Sequence, residues 1–330
     1  MNKIKDYQWP SFFIRDKKYS ISKEKKIGRA LVNKIENFFK KNFYYKVILF
    51  PSARAALASV LRFRKIDRSN EVFINKWVSH CIFNTVGKYT NISTSFKSPD
   101  IIIAVHKWGI NQIFSKKKNI EIIEDSVDSI ILNKKDLFIN KGQFEFFSLP
   151  KIIGSVSGGI IVTRNLSYYK FAKKEQMKNK KLGIYQSRQK FNDINKKKSF
   201  NTWLFYESSN TFLEYNSLLD IEKNLKNLEI NKKIILKRKN LFRKEFNIDY
   251  YKNNKLGPVI PINLKFIKNH SLMKKNFLLR HIHKGPKETE KFQKVYLLPV
   301  HFKISQQKFN FYIKLLKKSI IKKNNLKKLN

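Results

Sequence analysis

The chain has 330 residues, 42% of them apolar, enough for one large or two modest cores at about 150 residues per domain and too apolar for a disordered chain. Seventy basic against 24 acidic side chains give a formal charge of +46, and the single cysteine, Cys81, excludes an internal disulfide framework and a thiolate-cage metal site. No apolar run approaches the roughly 18 residues that span a bilayer, and the first residues lack a secretory apolar stretch, so a cytoplasmic protein without a transmembrane segment is expected.

In chain order, residues 27–41 space their apolar positions as a helix does. Tyr44–Phe50 reads as a strand, and Pro51-Ser52 opens a helix over Ala53–Phe63. Glu71–Ile74 reads as a strand before a helix over about 78–88, and Ile101–Val105, Ile120–Ile123, Phe144–Phe147 and Gly159–Thr163 are apolar runs of buried-strand length. Such alternation predicts an α/β layer with a mostly parallel sheet. Beyond residue 200 the pattern changes to one long Lys-rich helix over 217–246, a strand over Val259–Leu264, a helix over 271–284 and a closing helix from Ser305 to about 321. The predicted division is a large domain of residues 1–200, with an N-terminal helical arm, and a small one of residues 201–330, with the boundary inside 165–215.

The charge alone invites a nucleic-acid partner. Its distribution points elsewhere: lysines are strewn from Lys3 to Lys328 among Asn, Ile and Phe, while arginine, the residue of bidentate contacts, is scattered. Lys116–Lys118 and Lys196–Lys198 read as solvated turns. No specific nucleic-acid site is expected, and attraction to anionic substrates follows from the charge in either case.

Four local features carry possible chemistry. Ser52-Ala53-Arg54 lies between a strand and a helix, where backbone amides and the helix dipole suit a phosphate, though Ser52 also reads as a plain N-cap. His106 follows the Ile101–Val105 strand. Glu124-Asp125 follows Ile120–Ile123, at the strand end where open parallel sheets bind ligands. Lys151 stands between Pro150 and Gly154, ahead of Gly158-Gly159.

In this order the four resemble the DegT/StrS family of sugar aminotransferases that depend on pyridoxal 5′-phosphate (PLP). Ser52-Ala53-Arg54-Ala55-Ala56-Leu57 is similar to its phosphate turn, Ala104-Val105-His106-Lys107-Trp108-Gly109 to its Pro-Val-His-Leu-Tyr-Gly, and Ile123-Glu124-Asp125-Ser126-Val127-Asp128 to its Ile-Glu-Asp-Ala-Ala-Gln. Lys151 precedes the glycine pair as the family's cofactor-bearing lysine does, Tyr215-Asn216 and Leu225–Asn240 resemble its interface helix, and Leu298-Pro299-Val300-His301 its closing segment. The resemblance, over roughly residues 45–320, implies a fold-type-I PLP transferase: a three-layer large domain with a mostly parallel seven-stranded sheet, a smaller C-terminal α+β domain and a homodimer. It implies Lys151 as the catalytic lysine, Asp125 against the ring nitrogen, Asp128 near the ring hydroxyl, Ala53, Arg54 and Ser148 on the phosphate, and Trp77 or His80 over the ring. His106, Asn216 and His301 are candidate substrate contacts, and no metal is implied.

The implied reaction moves an amino group from an amino acid, glutamate by expectation, to a nucleotide-linked keto-sugar for surface-polysaccharide or other glycan precursors. The chain departs from the family pattern where Ala53-Arg54 replaces Gly-Thr, Asp128 a glutamine, Ser157 a glutamate and Leu218 an arginine. These departures leave a rival, a homologue that binds a sugar nucleotide or acidic polymer without turnover.

Overall fold

A computed structural model describes residues 9–10, 28–115, 120–178, 211, 213–247, 255–285, 287 and 290–320. Helix α1 (Gly28–Phe43) buries Ile35, Phe39 and Phe43 at helical spacing. Strand β1 (Lys46–Phe50) starts later than the Tyr44–Phe50 run predicts, because Tyr44 turns through a left-handed conformation with φ 60°. There follow α2 (Ala53–Phe63), β2 (Glu71–Ile74), α3 (His80–Val86), β3 (Asn91–Ser93), β4 (Ile101–Val105), β5 (Glu121–Asp125), β6 (Ile130–Ile131), β7 (Phe144–Ser148), α4 (Leu149–Ile152), β8 (Gly159–Thr163) and α5 (Leu166–Lys178).

Seven strands form one sheet in the order β1-β8-β7-β5-β4-β2-β3. All run parallel except β8, which opposes both neighbours. Alternate residues serve opposite layers, as the two-residue period of a strand requires. Val47, Leu49, Phe147, Ile160 and Val162 face a core shared with α1 and the later helices. Ile48, Phe50, Phe146 and Ile161 face the core under α2 and α5. This is the three-layer, mostly parallel α/β arrangement expected.

The C-terminal part comprises α6 (Tyr215–Asn224), α7 (Asn227–Phe246), β9 (Lys255–Leu256), β10 (Val259–Asn263), α8 (His270–Asn276), β11 (Leu278–His283), β12 (Phe292–Pro299) and α9 (Gln306–Ser319). Strands β10-β12-β11 make an antiparallel sheet, and β9 reaches back to pair with β6. Two expectations are corrected. The helix over 271–284 ends at Asn276, because Phe277 turns extended (φ −125, ψ 150) and the next six residues pair along β12; a non-local ladder overrides local helix preference. The helix over 217–246 is two helices broken at Leu225-Lys226, where the Asn224 side-chain amide donates to the Asp220 carbonyl at 2.7 Å. Lys116–Lys118, Lys196–Lys198 and most of the expected domain boundary lie outside the described residues. Among the described residues no helix is long and apolar enough to cross a membrane.

Beside β9 the backbone meets the large sheet's loops with no room for a side chain. A Cβ on Gly257 would lie 1.8 Å from the Trp108 carbonyl oxygen, and one on Gly109, whose φ is +79, 2.5 Å from the Gly257 nitrogen. Gly257→Ala therefore forces backbone apart and is expected to cost at least about 3 kcal/mol, read as a lowered urea midpoint. Gly28→Ala, whose Cβ meets only Leu218 Cδ1 at 3.7 Å, is the control expected to leave the midpoint near the parent's.

Candidate active site

The site lies at the C-terminal ends of β5 and β7, where an open α/β sheet exposes the last strand residues to a crevice. Asp125 ends β5 and is fully buried. Its Oδ1 accepts the Val127 amide at 2.9 Å, while its Oδ2, also buried, has no hydrogen-bond partner among the described residues. Burial pushes the Asp125 carboxyl up to about 7; the Val127 amide and the Lys151 charge pull the other way, and the charges of Asp128 and Glu145 add to the rise. The turn after β5, closed by the Ser129 amide on the Ser126 carbonyl at 3.0 Å, brings Asp128 round to the same side.

Lys151 is on the single-turn helix α4, begun by Pro150 in its first turn. Its Nζ donates to Asp128 Oδ1 at 2.7 Å. One turn cannot hold itself in place, so α4 is fixed from outside. The Leu149 amide donates to the Gly158 carbonyl at 3.1 Å, and the Gly158 amide donates to the Pro51 carbonyl at 2.9 Å. Gly158 adopts φ +108, which a side chain would strain. At the far end of α4, Asn231 Nδ2 donates to the Ile152 carbonyl at 2.8 Å and Asn227 Nδ2 to the Ile153 carbonyl at 3.0 Å. The lysine-to-glycine spacing thus has a physical meaning: Gly158 ties the lysine helix to the turn that opens α2.

In that turn Ser52 is the N-cap, its hydroxyl accepting the Ala55 amide at 3.1 Å. Ala53 and Arg54 open α2, and first-turn amides lack an intrahelical acceptor. A Cβ on Gly159 would lie 2.3 Å from the Ala53 nitrogen, so glycine is required for β8 to approach the turn this closely. Ser148, between β7 and α4, is half-buried and its side chain makes no capping bond.

These placements fit PLP. The orphaned Asp125 Oδ2 can accept a hydrogen bond from a protonated ring nitrogen, Lys151 Nζ is an amine near enough for its charge to act on Asp125, and the α2 N-terminus suits a phosphate. Arg54 is buried rather than held out to solvent.

The remaining predicted residues stand differently. His106 is fully buried beneath the site: its Nδ1 accepts the Gln112 amide at 3.1 Å, so Nε2 carries the proton and donates to Glu124 Oε2 at 2.9 Å. Burial holds its pKa well below the ordinary value, and the ring is a neutral strut with no nitrogen left for a ligand. Trp77 stacks on His281 of β11 with centroids 3.9 Å apart, and His80 opens α3 exposed, with no hydrogen bond or ring contact among the described residues. Asn216 is half-buried at the start of α6. His301 is buried after β12, its carbonyl held by Arg238 Nη1 at 2.8 Å. Leu218, in the place of the family's arginine, is a fully buried core residue.

Three residues that pattern reading passed over also belong here. Trp9 donates its indole N–H to Asp128 Oδ1 at 2.9 Å. Lys107 Nζ donates to the carbonyls of Trp77 at 2.6 Å and His281 at 2.9 Å, and burial lowers its pKa to about 8. Lys255, fully buried on β9, pairs with Glu145 Oε1 at 2.6 Å and bonds Ser126 Oγ at 3.0 Å, just past Asp125. Lys107 was within reach of the sequence, inside the motif Ala104–Gly109; Trp9 and Lys255 are isolated residues brought in by long-range contacts.

Because the Asp125 carboxyl is protonated more readily in the folded than in the unfolded chain, its contribution to stability is present below its unfolded pKa and is lost as pH rises toward about 7. Over about three pH units that amounts to roughly 4 kcal/mol. Cofactor-free Asp125→Asn, which does not titrate, is therefore expected to gain on the parent by up to that amount between pH 4 and 7.5, measured by denaturant unfolding at each pH. A gap that stays constant with pH contradicts the burial argument.

Known structures share this architecture at low identity. A DegT DnrJ EryC1 StrS aminotransferase from Brucella abortus aligns with TM-score 0.59 and 12% identity over 94% of this chain and 93% of that one. Helicobacter pylori PseC, an aminotransferase involved in the biosynthesis of pseudoaminic acid, aligns with TM-score 0.59 and 14% identity over 91% and 98%. DesI, solved in the presence of its TDP-sugar product, aligns with TM-score 0.61 and 11% identity over 87% and 84%. At such identities the likeness speaks for the fold. No curated protein sequence matches the chain significantly. A family profile described as "Putative PLP-dependent aminotransferase" matches residues 35–324, and the chain belongs to this family of PLP-dependent aminotransferases.

Proposed function

We propose that the protein transfers an amino group from an amino-acid donor, glutamate, to the keto group of a nucleotide-linked sugar, in the making of surface-polysaccharide or other glycan precursors. The observation that carries this reading is a buried carboxylate, Asp125, with one oxygen lacking a hydrogen-bond partner among the described residues and the charge of a lysine amine, Lys151, acting on it. PLP, when bound, supplies an electron sink that works only while its ring nitrogen stays protonated. Asp125 Oδ2 would accept that proton's hydrogen bond and keep the nitrogen charged. The amides of Ala53 and Arg54 would hold the phosphate, with the Ser148 hydroxyl as a further donor. Lys151 Nζ would be the amine that anchors the cofactor and, when free, the base positioned to move a proton at that place.

The sugar assignment is supported by the named products and pathways of DesI and PseC, and a charge of +46 favours a diphosphate-bearing substrate. Asn216 is the substrate contact we retain. The buried His106 positions its neighbours instead, and the buried His301 gives its backbone carbonyl to Arg238. A homodimer agrees with the exposed apolar side chains of Leu219 on α6 and Ile230 and Leu236 on α7.

Purified protein should be yellow, and borohydride should fix the cofactor to the peptide carrying Lys151; Lys151→Ala should lose both the covalent label and turnover. Asp125→Asn is expected to lower kcat by at least about 100-fold in an amination assay against a panel of nucleotide keto-sugars. A colourless protein that takes up no added PLP would instead support the rival, a homologue that binds its ligand without turnover.

A further inference from the structure

Trp9 and Pro10 are seated at the lysine helix. The Trp9 indole N–H and Lys151 Nζ converge on one oxygen, Asp128 Oδ1, at 2.9 and 2.7 Å. The Lys151 ammonium lies 4.3 Å from the Trp9 ring centroid, within cation–π range. Pro10 is buried, and a Cβ on Gly154, whose φ is +76, would come within 3.2 Å of Pro10 Cβ and 3.1 Å of Phe302 Cζ. The seat is therefore built at two points: the ion pair takes the Trp9 indole, and the glycine turn after the lysine helix takes Pro10.

The chemistry of pyridoxal gives this arrangement a purpose. Its phenolic oxygen stands on the ring carbon next to the one that bears the aldehyde. With that aldehyde carbon held at Lys151 Nζ, the neighbouring oxygen would lie on the side where Asp128 sits, 2.7 Å from Nζ. Two oxyanions facing each other in a site only 7% exposed at Asp128 repel strongly. An N–H donor fixed on one carboxylate oxygen both spreads its charge and sets the direction the group faces.

We propose that Trp9 is a positioning residue that acts through Asp128: its indole N–H holds the carboxylate off the cofactor's phenolic oxygen, so that an acidic side chain can stand beside Lys151 without weakening PLP binding. This rests on the cofactor part of the proposed function.

The test is binding rather than turnover. Cofactor-free full-length protein is titrated, by absorbance, with PLP and with 3-deoxypyridoxal phosphate, which lacks the phenolic oxygen. Trp9→Phe keeps an aromatic ring and loses the N–H; replacing Trp9 with benzothienylalanine keeps both rings and loses only the donor. Either variant is expected to bind PLP about tenfold more weakly, the loss due to one hydrogen bond to a charged group. Binding of the deoxy compound should change by less than about twofold, and in an Asp128→Asn background Trp9→Phe should change PLP affinity by less than about twofold. Equal weakening toward both compounds makes Trp9 merely structural, and tighter PLP binding makes it an occupant of the cofactor's own place; either result overturns the proposal. Parent protein that binds neither compound overturns the cofactor reading itself, and is told apart from the other outcomes because no variant is needed to see it.

Discussion

The structure is organised around one buried carboxylate. Asp125 sits at the end of a central strand with one oxygen bonded to the backbone and the other unmatched among the described residues. Burying a lone anion is expensive, and proteins ordinarily pair it or protonate it. The neighbouring charges show how the chain treats the others: Glu145 meets Lys255 at 2.6 Å with Ser126 on the same oxygen, and Glu124 takes hydrogen bonds from His106, from the Asn140 amide at 3.0 Å and from the Asn140 side chain. Of these three acids on β5 and β7, Asp125 keeps an oxygen without a partner among the described residues, and that contrast supports reading it as a ligand-facing acid rather than a structural one.

A charge arranged this way is useful only if the opposing amine is held in register with it. Lys151 stands on one helical turn, so its position comes from tertiary bonds rather than from local stability. The brace runs in two directions. Gly158 links the start of α4 to the Pro51 turn, and α7 takes hold of its end through Asn227 and Asn231. Asn231 also accepts the Phe302 amide at 3.1 Å, and Arg238, one helical face farther on, donates to the His301 and Ile304 carbonyls at 2.8 and 2.7 Å. The buried face of α7 therefore couples the lysine helix to the segment after β12, which explains why a basic run at its C-terminal half contains one arginine that points inward.

Much of this was legible in the sequence, for reasons that also explain what was not. Strands β2, β4 and β8 and helix α2 were found at or close to their observed ends, because each is a buried apolar run bounded by turn residues, where local pattern and tertiary need agree. The pairs β6 and β9 are two residues long, too short for any period to show, and β11 carries a half-exposed, polar sequence whose strand form depends on β12 alongside. The candidate site followed the same rule. Motif order drew attention to Asp125, Lys151 and the Ser52 turn, since each is set by its own strand end. His106 was found by the same means yet proves to be a strut, because burial and the Gln112 amide, neither visible in spacing, decide its role. Trp9 sits more than a hundred residues from the groups it touches, and nothing local marks it.

The departures from the family pattern read differently once they are seen in place. Ala53-Arg54 removes a hydroxyl but keeps the first-turn amides and the close approach that Gly159 allows, so the backbone still suits a phosphate there. Leu218 removes a charge from a position that is fully buried in this chain, where an unpaired arginine would be costly. Asp128 adds a charge, and the same carboxylate oxygen carries two donors, Lys151 and Trp9. Random loss of a site leaves buried polar groups without partners. Asp128 is met by two donors and Leu218 by an apolar core, whereas Ser157 leaves its buried Oγ, and Asp125 its Oδ2, without a hydrogen-bond partner among the described residues. The matched surroundings of Asp128 and Leu218 fit a site adjusted to its own chemistry, and together with the family match they argue for a working aminotransferase over a fold that has ceased to turn over.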